Sequence, residues 1–252
     1  MFTVHLSVAN AELWQCTRCK FMYFSDPSWL EQAFTSRLTD PDVGALDRNL
    51  IVADFLSVLI PSLRLTDGSF VDWGAGYGIL SRLMRDRGFD FRNHETFAEP
   101  IFYSPRFDKD DRKVDLIVLS EVALHFDKPV YEFEQLARIS GHIFFTAVVP
   151  PRDISPDWWY LMPATGLHVA FYSIESLEAL ASRLDMKLTS DGKFFHILHR
   201  EPIRYSTRLL FKSRVLTFGR ARVKQVIRDI RRLFNKGKTL TPKDLEEVVG
   251  RP

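Results

Sequence analysis

Short apolar runs alternate with helix-period stripes through the middle of the chain. The runs predicted to be strands are residues 69–73, 89–95, 114–121 and 142–149. The stripes predicted to be helices are residues 45–63, 79–88 and 130–140, where apolar side chains recur every three to four positions. Strands that alternate with helices are typical of a parallel α/β sheet with helices on both faces.

A hairpin is predicted to end this pattern. Ser173 is the expected N-cap of a helix, and two strand-like runs, 186–190 and 194–199, follow it. Asp191 and Gly192 separate these runs, and Asp-Gly between two strands indicates a tight antiparallel turn. The sheet is therefore expected to finish with an antiparallel strand, whereas dehydrogenases usually finish with another crossover helix.

Three alternating glycines follow the first predicted strand. Gly74, Gly76 and Gly78 come after Asp72, and the next helix begins directly behind them. Glycine takes backbone angles closed to other residues and lets a ligand lie against the main chain. The spacing G-x-G-x-G departs from the dinucleotide fingerprint G-x-G-x-x-G. Asp72 favours a ligand with a positive or hydrogen-donating group, which an aminoacyl sulfonium provides and a pyrophosphate does not.

This turn resembles the first motif of class I S-adenosylmethionine (SAM)-dependent methyltransferases, an acid-x-Gly-x-Gly-x-Gly connection from strand to helix. The resemblance implies an α/β, Rossmann-like, doubly wound sheet of seven strands in the order 3-2-1-4-5-7-6, with the last strand antiparallel. It also implies S-adenosyl-L-methionine as the cofactor. We further expect a small N-terminal hairpin and a C-terminal basic helix.

The resemblance also assigns cofactor contacts. Glu95 ends the second predicted strand and matches the family's ribose-binding acid, although an exposed turn carboxylate is the alternative. Ser120 and Glu121 end the predicted strand 114–121, which resembles the family's fourth strand, and they are expected to line the methionine part of SAM. The predicted cofactor-binding residues are Asp72, Gly74, Ala75, Gly76, Gly78, Glu95, Ser120 and Glu121.

An aromatic stretch, residues 157–172, lies beyond the predicted strand 142–149, where an insertion would cover a pocket. Aromatic rings stack on sugar rings, and polar tips select hydroxyl positions. These side chains would equally serve to cover an edge of the core. The predicted substrate-binding residues are Trp158, Trp159, Tyr160 and Thr165.

The same stretch resembles a bacterial, glycan- or glycosyltransferase-associated subgroup with a type 23-like methyltransferase domain. That resemblance implies an acceptor hydroxyl on a sugar, a glycan or a related small molecule. A hydroxyl acceptor must lose its proton, and histidine is the usual general base. We predict His168 as the base, then His125, with Tyr172 as an orienting group. A structural, hydrogen-bonded role for His125 stays equally open.

The first residues contain Cys16-Thr17-Arg18-Cys19 among aromatic side chains. A tetrahedral zinc site needs four ligands, and beyond His5 no convincing further ligand is near. We therefore predict a hairpin without metal and leave zinc at Cys16 and Cys19 as the alternative. The expected division is an N-terminal extension over 1–44, a methyltransferase domain over 45–202 and a tail over 203–252.

The tail has an apolar helical stripe from Val223 to Phe234, with arginines and lysines on the opposite face. A basic amphipathic helix contacts anionic membranes or packs on its own protein. Peripheral membrane contact is therefore an open expectation, while the net charge of +2 gives no reason to expect nucleic acid.

The 252 residues suffice for one large domain with appendages. The chain has two cysteines, no apolar run near the about 20 residues of a membrane span, and no signal-peptide pattern at its start, which favours a cytoplasmic protein. Two alternatives to a methyltransferase stay open: an NAD-dependent oxidoreductase, and a scaffold without catalysis. Trp73 leaves the scaffold alternative open, because it stands between the acid and the first glycine, where a smaller residue is often found in the family that the chain resembles. Oligomeric state is left undetermined.

Overall fold

The computed structural model describes residues 2–7, 9–35, 44–108, 114–212, 240, 243, 244 and 247. In chain order the strands are β1 Phe2–His5, β2 Asn10–Gln15, β3 Met22–Phe24, β4 Ser69–Trp73, β5 Asp90–His94, β6 Leu116–Leu119, β7 His142–Thr146, β8 Ala170–Phe171, β9 Lys187–Ser190 and β10 Phe195–His199. The α-helices are α1 Leu30–Thr35, α2 Ala45–Ser62, α3 Ile79–Arg85, α4 Pro129–Ile139, α5 Ile174–Arg183 and α6 Tyr205–Lys212. Short 3-10 turns occur at Ala123–His125 and Trp159–Leu161. None of these helices has the length and apolar content needed to cross a bilayer.

The larger sheet has the order β5-β4-β6-β7-β10-β9. Its first four strands pair in parallel, and β10 is antiparallel to both of its neighbours. The predicted hairpin is confirmed, since His196 pairs with Ser190 across the Asp191-Gly192 turn. The Asp191 carboxylate accepts the backbone N–H groups of the next residues and so closes this turn. The α/β class and the antiparallel last strand are therefore as expected.

The predicted count of seven strands is wrong for the part of the chain described above. Six strands form, in the family order 2-1-4-5-7-6, and the place of the third holds one isolated parallel bridge between Arg106 and Asn93. The Asn93 side chain donates to the backbone oxygen and hydroxyl of Ser104, and Pro105 has no N–H to donate. A polar, proline-containing edge therefore pairs at one point instead of extending as a strand.

Phenylalanines fill the layer between the larger sheet and helices α2, α3 and α6. The ring of Phe55 lies 4.3 Å from that of Phe195, 5.2 Å from Phe211 and 5.6 Å from Phe144. All four side chains are almost fully buried. The high phenylalanine content thus supports thick packing on this face. A second core lies on the opposite face, under α4, α5 and the smaller sheet.

The smaller sheet is antiparallel, in the order β1-β2-β3-β8. The small N-terminal hairpin of the prediction is therefore corrected: β2 and β3 form it, and it belongs to a four-stranded sheet because β3 pairs with β8 from the aromatic insertion. Cys16 and Cys19 lie in the β2–β3 turn and form no disulfide. Within the described residues, no group of three or more His, Cys, Asp or Glu could hold a metal ion. The division at residues 44 and 202 stays a prediction.

A buried ion pair attaches the end of the chain to α3. Arg85, 1% exposed, donates to both carboxylate oxygens of Asp244, to Asp90 at 2.7 Å and to the backbone oxygen of Phe91. Arg82 adds a third donor to Asp244 at 2.7 Å. Burial alone would raise the pKa of Asp244, but these hydrogen bonds outweigh it and lower the pKa. The predicted basic stripe, Val223 to Phe234, lies outside the described residues.

Asp244→Asn should lower the free energy of unfolding by about 3 kcal/mol, because Arg85 would keep a buried charge without its main partner. Urea denaturation followed by circular dichroism measures this. Glu247→Gln is the matched control, since exposed Glu247 accepts a hydrogen bond from the Tyr103 hydroxyl, and its loss should change the free energy by less than about 1 kcal/mol. Equal midpoints for the two variants would contradict a stabilising role for the buried pair.

Candidate active site

The glycine turn joins β4 to α3 and leaves one side of its backbone open. All three glycines have positive φ, with +72° at Gly74, +54° at Gly76 and +79° at Gly78. A Cβ at Gly74 would stand 2.7 Å from Val122, whereas a Cβ at Gly76 would meet nothing within 4 Å. Gly74 is therefore required for close packing, whereas the main chain at Gly76 has open space beside it.

Glu95 connects this turn to the loop after β5. Its Oε2 accepts the N–H of Gly76 at 2.6 Å, and its Oε1 accepts those of Thr96 at 2.8 Å, Phe97 at 2.7 Å and Ala98 at 3.3 Å. The two predicted ends of the cofactor site are thus in direct contact. Parallel strands β4 and β5 bring them together because both residues follow the carboxyl ends of neighbouring strands.

Asp72 lies beneath the turn and is 2% exposed. Its Oδ2 accepts the backbone N–H of Ser81 at 3.1 Å and the Ser81 hydroxyl at 2.9 Å. Burial raises the pKa of Asp72 to about 7, the Ser81 hydrogen bonds oppose this, and the charge of Glu95 adds to it. The predicted contact between Asp72 and the aminoacyl end stays a prediction, and the visible partner of the carboxylate is α3. Ala75 packs within the turn, where its oxygen accepts the N–H of Gly78.

Glu121 is held in a left-handed conformation, with φ of +59°, directly after β6 and half-buried Ser120. Such a conformation is uncommon for a residue with a side chain and is kept only where its surroundings enforce it. Thr146 accepts the Glu121 N–H and donates its hydroxyl to Oε1, both at 2.8 Å. The Tyr160 hydroxyl donates to Oε2 at 2.8 Å. Burial raises the pKa of Tyr160, and the Glu121 charge adds to this, so the phenol stays a donor.

The two candidate bases lie side by side. The N–H of Val169 donates to the oxygen of Leu124, which brings the insertion against the 3-10 turn and sets the His125 and His168 rings 5.5 Å apart. Nδ1 of His168 lies 2.7 Å from the backbone oxygen of Tyr160 and must donate to it. When the ring is neutral, its lone pair is therefore on Nε2. Burial chiefly lowers the pKa of His125, and the charges of His168 and Arg48 lower it further.

The other acceptor-side candidates lie in different surroundings. The buried Tyr172 hydroxyl donates to the Ala123 oxygen at 2.7 Å, and burial raises its pKa. Thr165 donates to the Met162 oxygen within its own turn. Trp158 is half-buried against Phe171, whereas Trp159 is 66% exposed. The structure therefore places Tyr160 beside Glu121 and His168. It does not bring the other four candidates of this paragraph, Trp158, Trp159, Thr165 and Tyr172, to one point. Their assigned roles stay predictions.

Two phenylalanines that sequence reasoning missed pack between the Glu95 loop and the candidate bases. Phe34 of α1 stacks on Phe97 with ring centres 4.3 Å apart and planes 4° apart. The same Phe34 ring meets His125 edge-on at 5.7 Å. Phe34 therefore connects the Glu95 loop with the candidate bases. No periodic pattern indicated the Phe34–Phe97 contact, because the two residues are far apart in sequence. Sequence reasoning also missed Thr146, which bonds to Glu121, and Arg48, whose charge acts on His125, for the same reason.

A family model described as a methyltransferase domain, of type 23, matches residues 46–191. No curated protein matches the sequence. The match covers the larger sheet from α2 to the hairpin turn, including the glycine turn, Glu95, Glu121 and both histidines.

Solved structures show low identity to the chain. The magnesium protoporphyrin IX methyltransferase ChlM from Synechocystis PCC 6803, with bound SAH, is 10% identical; the match covers 67% of this chain and 90% of that one, with a TM-score of 0.45. Mitomycin 7-O-methyltransferase MmcR is 13% identical over 67% of this chain and 59% of its own, at 0.45. The N-terminal domain of EvdMO1, solved with SAH and D-fucose, is 13% identical over 58% and 80%, at 0.37. The bound groups are properties of those proteins.

Burial of Asp72 predicts a dependence of stability on pH. Its pKa is about 7 in the fold against 3.8 for the unperturbed group, so folding favours the protonated form. Its contribution is complete at acidic pH and is lost as pH rises through about 7. Between about pH 4 and pH 8, the stability of the wild type relative to Asp72→Asn should fall by up to about 4 kcal/mol.

Urea denaturation across this pH range measures the difference. The matched control is Asp153→Asn, which changes the same functional group on the surface. A constant difference between wild type and Asp72→Asn would show that the buried carboxyl does not titrate as described.

Proposed function

We propose that this chain, which belongs to the methyltransferase-domain family, transfers the methyl group of SAM to a hydroxyl of a sugar, a glycan or a related small molecule. The observation that carries the proposal is the hydrogen bond from the open glycine turn at Gly76 to Glu95. It joins a bare main-chain surface to a carboxylate at the carboxyl ends of parallel strands, where open α/β sheets bind ligands, and we infer that the cofactor cleft lies there.

The residues of the cleft fit SAM. The main chain at Gly76 has free space above it, which suits the aminoacyl end of the cofactor. Oε2 of Glu95 accepts one N–H and keeps acceptor capacity for a ribose hydroxyl. Gly74, Ala75, Gly78 and Asp72 shape the turn from within, and Ser120 and Glu121 border the methionine side.

When bound, SAM supplies an electrophilic methyl group, so the protein has to position the acceptor and remove its proton. Nε2 of His168 carries the lone pair and takes that proton, while the Tyr160 oxygen holds Nδ1. Glu121 fixes Tyr160 from the other end, so one chain of hydrogen bonds orients the base. His125, kept neutral by its lowered pKa, faces the same acceptor, and the Phe34–Phe97 stack excludes water.

The sugar acceptor rests on the aromatic insertion. Trp159 presents an exposed ring on the 3-10 turn that also contains Tyr160, and Trp158 supports that turn from below. An exposed ring beside a polar tip suits the apolar face and hydroxyls of a pyranose. Thr165 and Tyr172 stabilise the insertion, because the Thr165 hydroxyl donates to the Met162 oxygen and the Tyr172 hydroxyl donates to the Ala123 oxygen.

Gly76→Ala should weaken SAM binding at least about tenfold, because the added methyl group occupies the open side of the turn. Isothermal titration with SAM measures this. Gly192→Ala is the matched control, because Gly192 also has positive φ, +76°, and open space, but lies in the distant hairpin. Both variants should lose about 1 kcal/mol of stability from backbone strain, and only Gly76→Ala should lose affinity. Titration of the wild type with NADH should give no binding; NADH binding without SAM binding would favour an oxidoreductase.

His168→Gln should lower kcat about 100-fold or more while the affinity for SAM stays within twofold, because only proton removal is impaired. Transfer of a labelled methyl group to a panel of monosaccharides, nucleoside-diphosphate sugars and phenols measures turnover and identifies the acceptor class. If His168→Gln keeps its activity, a loss of turnover in His125→Gln, measured in parallel, would assign His125 as the base. Turnover only on phenols would contradict the sugar acceptor and leave the methyltransferase assignment in place.

A further inference from the structure

A cleft of about 490 Å³ lies between the edge strand β9 and helix α6, at the end of the larger sheet away from the glycine turn. Three cationic side chains line it: Lys187 from β9, and Arg208 and Lys212 from α6. The remaining lining residues are Leu188, Thr189, Ser190 and His199. Among the described residues no carboxylate lines this cleft, so its charge is positive.

The hydroxyl groups of the cleft are already engaged. His199 Nδ1 donates to the Glu201 oxygen, so its Nε2 accepts the Thr189 hydroxyl at 3.1 Å. The Ser190 hydroxyl donates in the same way to His196, whose other nitrogen donates to the Ala147 oxygen. The donors that face an incoming anion are therefore the ammonium and guanidinium groups. Burial lowers the pKa of His199, and the nearby charges of Arg208 and Lys187 add to this.

Helix α6 presents apolar side chains beside these cations. Its inner face is anchored, since Thr207 bonds to Ser62 and the Phe211 ring packs on Phe55. On its outer face, Tyr205 is 73% exposed and Leu209 is 43% exposed, one turn apart. A tyrosine, a leucine and basic side chains on one exposed stripe are typical of helices that lie at a membrane interface.

The charge of the chain continues with the same sign. From Lys212 the sequence enters residues 213–239, which contain nine lysines and arginines and one acidic residue. A surface with this charge is complementary to anionic lipid headgroups, whose potential attracts polybasic segments. The apolar side chains beside the cations favour a bilayer over a soluble anion, because burying them in a membrane interface contributes binding free energy, whereas a soluble anion does not bury them.

We propose that the face formed by β9 and α6 docks on the surface of an anionic membrane, with lipid phosphates entering the cleft between Lys187, Arg208 and Lys212, and with Tyr205 and Leu209 entering the interface. This docking is independent of the methyl acceptor. It holds the protein at the membrane by one edge of the sheet and leaves the opposite, Glu95-bearing edge away from the bilayer.

Co-sedimentation of the full chain with vesicles tests this. Vesicles of phosphatidylcholine alone are compared with vesicles in which one lipid in four is phosphatidylglycerol. The wild type should partition onto the anionic vesicles, and rising salt should release it. The triple variant Lys187→Gln, Arg208→Gln, Lys212→Gln should partition about 100-fold more weakly, at about fivefold for each cation. Tyr205→Ser with Leu209→Ser should also weaken partition while the salt dependence persists.

The matched control is Lys128→Gln, Arg138→Gln, Arg152→Gln, which removes the same charge from exposed sites outside the cleft. Circular dichroism checks that all variants fold. Equal loss in both triple variants would overturn the proposal in favour of a net-charge effect. Equal binding to neutral vesicles, displacement by millimolar inorganic phosphate at constant ionic strength, or tighter binding to a DNA duplex than to the anionic vesicles would overturn it as well.

Discussion

One carboxylate holds the cofactor side of this protein together. Glu95 accepts four backbone N–H groups, one from the glycine turn and three from its own loop. Hydrogen bonds to a charged acceptor are stronger than those between neutral groups, so these bonds order two loops that have no sheet pairing of their own. The loop also carries Phe97, on which Phe34 of the N-terminal segment stacks. The position of the Phe34–Phe97 stack therefore depends on the same side chain that is predicted to bind the ribose.

The acceptor side is built on a different principle, because its parts come from segments far apart in sequence. The aromatic insertion contributes β8 to the N-terminal sheet and donates the Val169 N–H to Leu124. These two attachments fix the insertion from both sides and bring His168 to His125. Strain at Glu121 is maintained by Thr146 and Tyr160, which come from a core strand and from the insertion. The arrangement of the predicted catalytic residues thus results from contacts between distant segments rather than from a local motif.

Sequence patterns predicted the features that depend on local order. Glycines after a strand, an acid at the end of the next strand and an Asp-Gly hairpin all lie where periodicity and turn chemistry put them. The third strand that the family order predicts does not form among the described residues, because a polar edge containing Pro105 pairs at one point only. The Glu121–Tyr160 bond, the Phe34–Phe97 stack and the Arg85–Asp244 pair join residues that are 39 to 159 positions apart, and periodicity has no information on such contacts.

The pairing of Arg85 with Asp244 also affects the order in which the chain matures during synthesis. Arg85 leaves the ribosome long before Asp244 exists, and domains begin to fold from their N-terminal parts. Until Asp244 emerges, the guanidinium of Arg85 either stays hydrated or is buried without its main counter-charge. Nascent chains should therefore keep α3 open to solvent, and chaperones that recognise its apolar side would have their longest opportunity to bind in this interval.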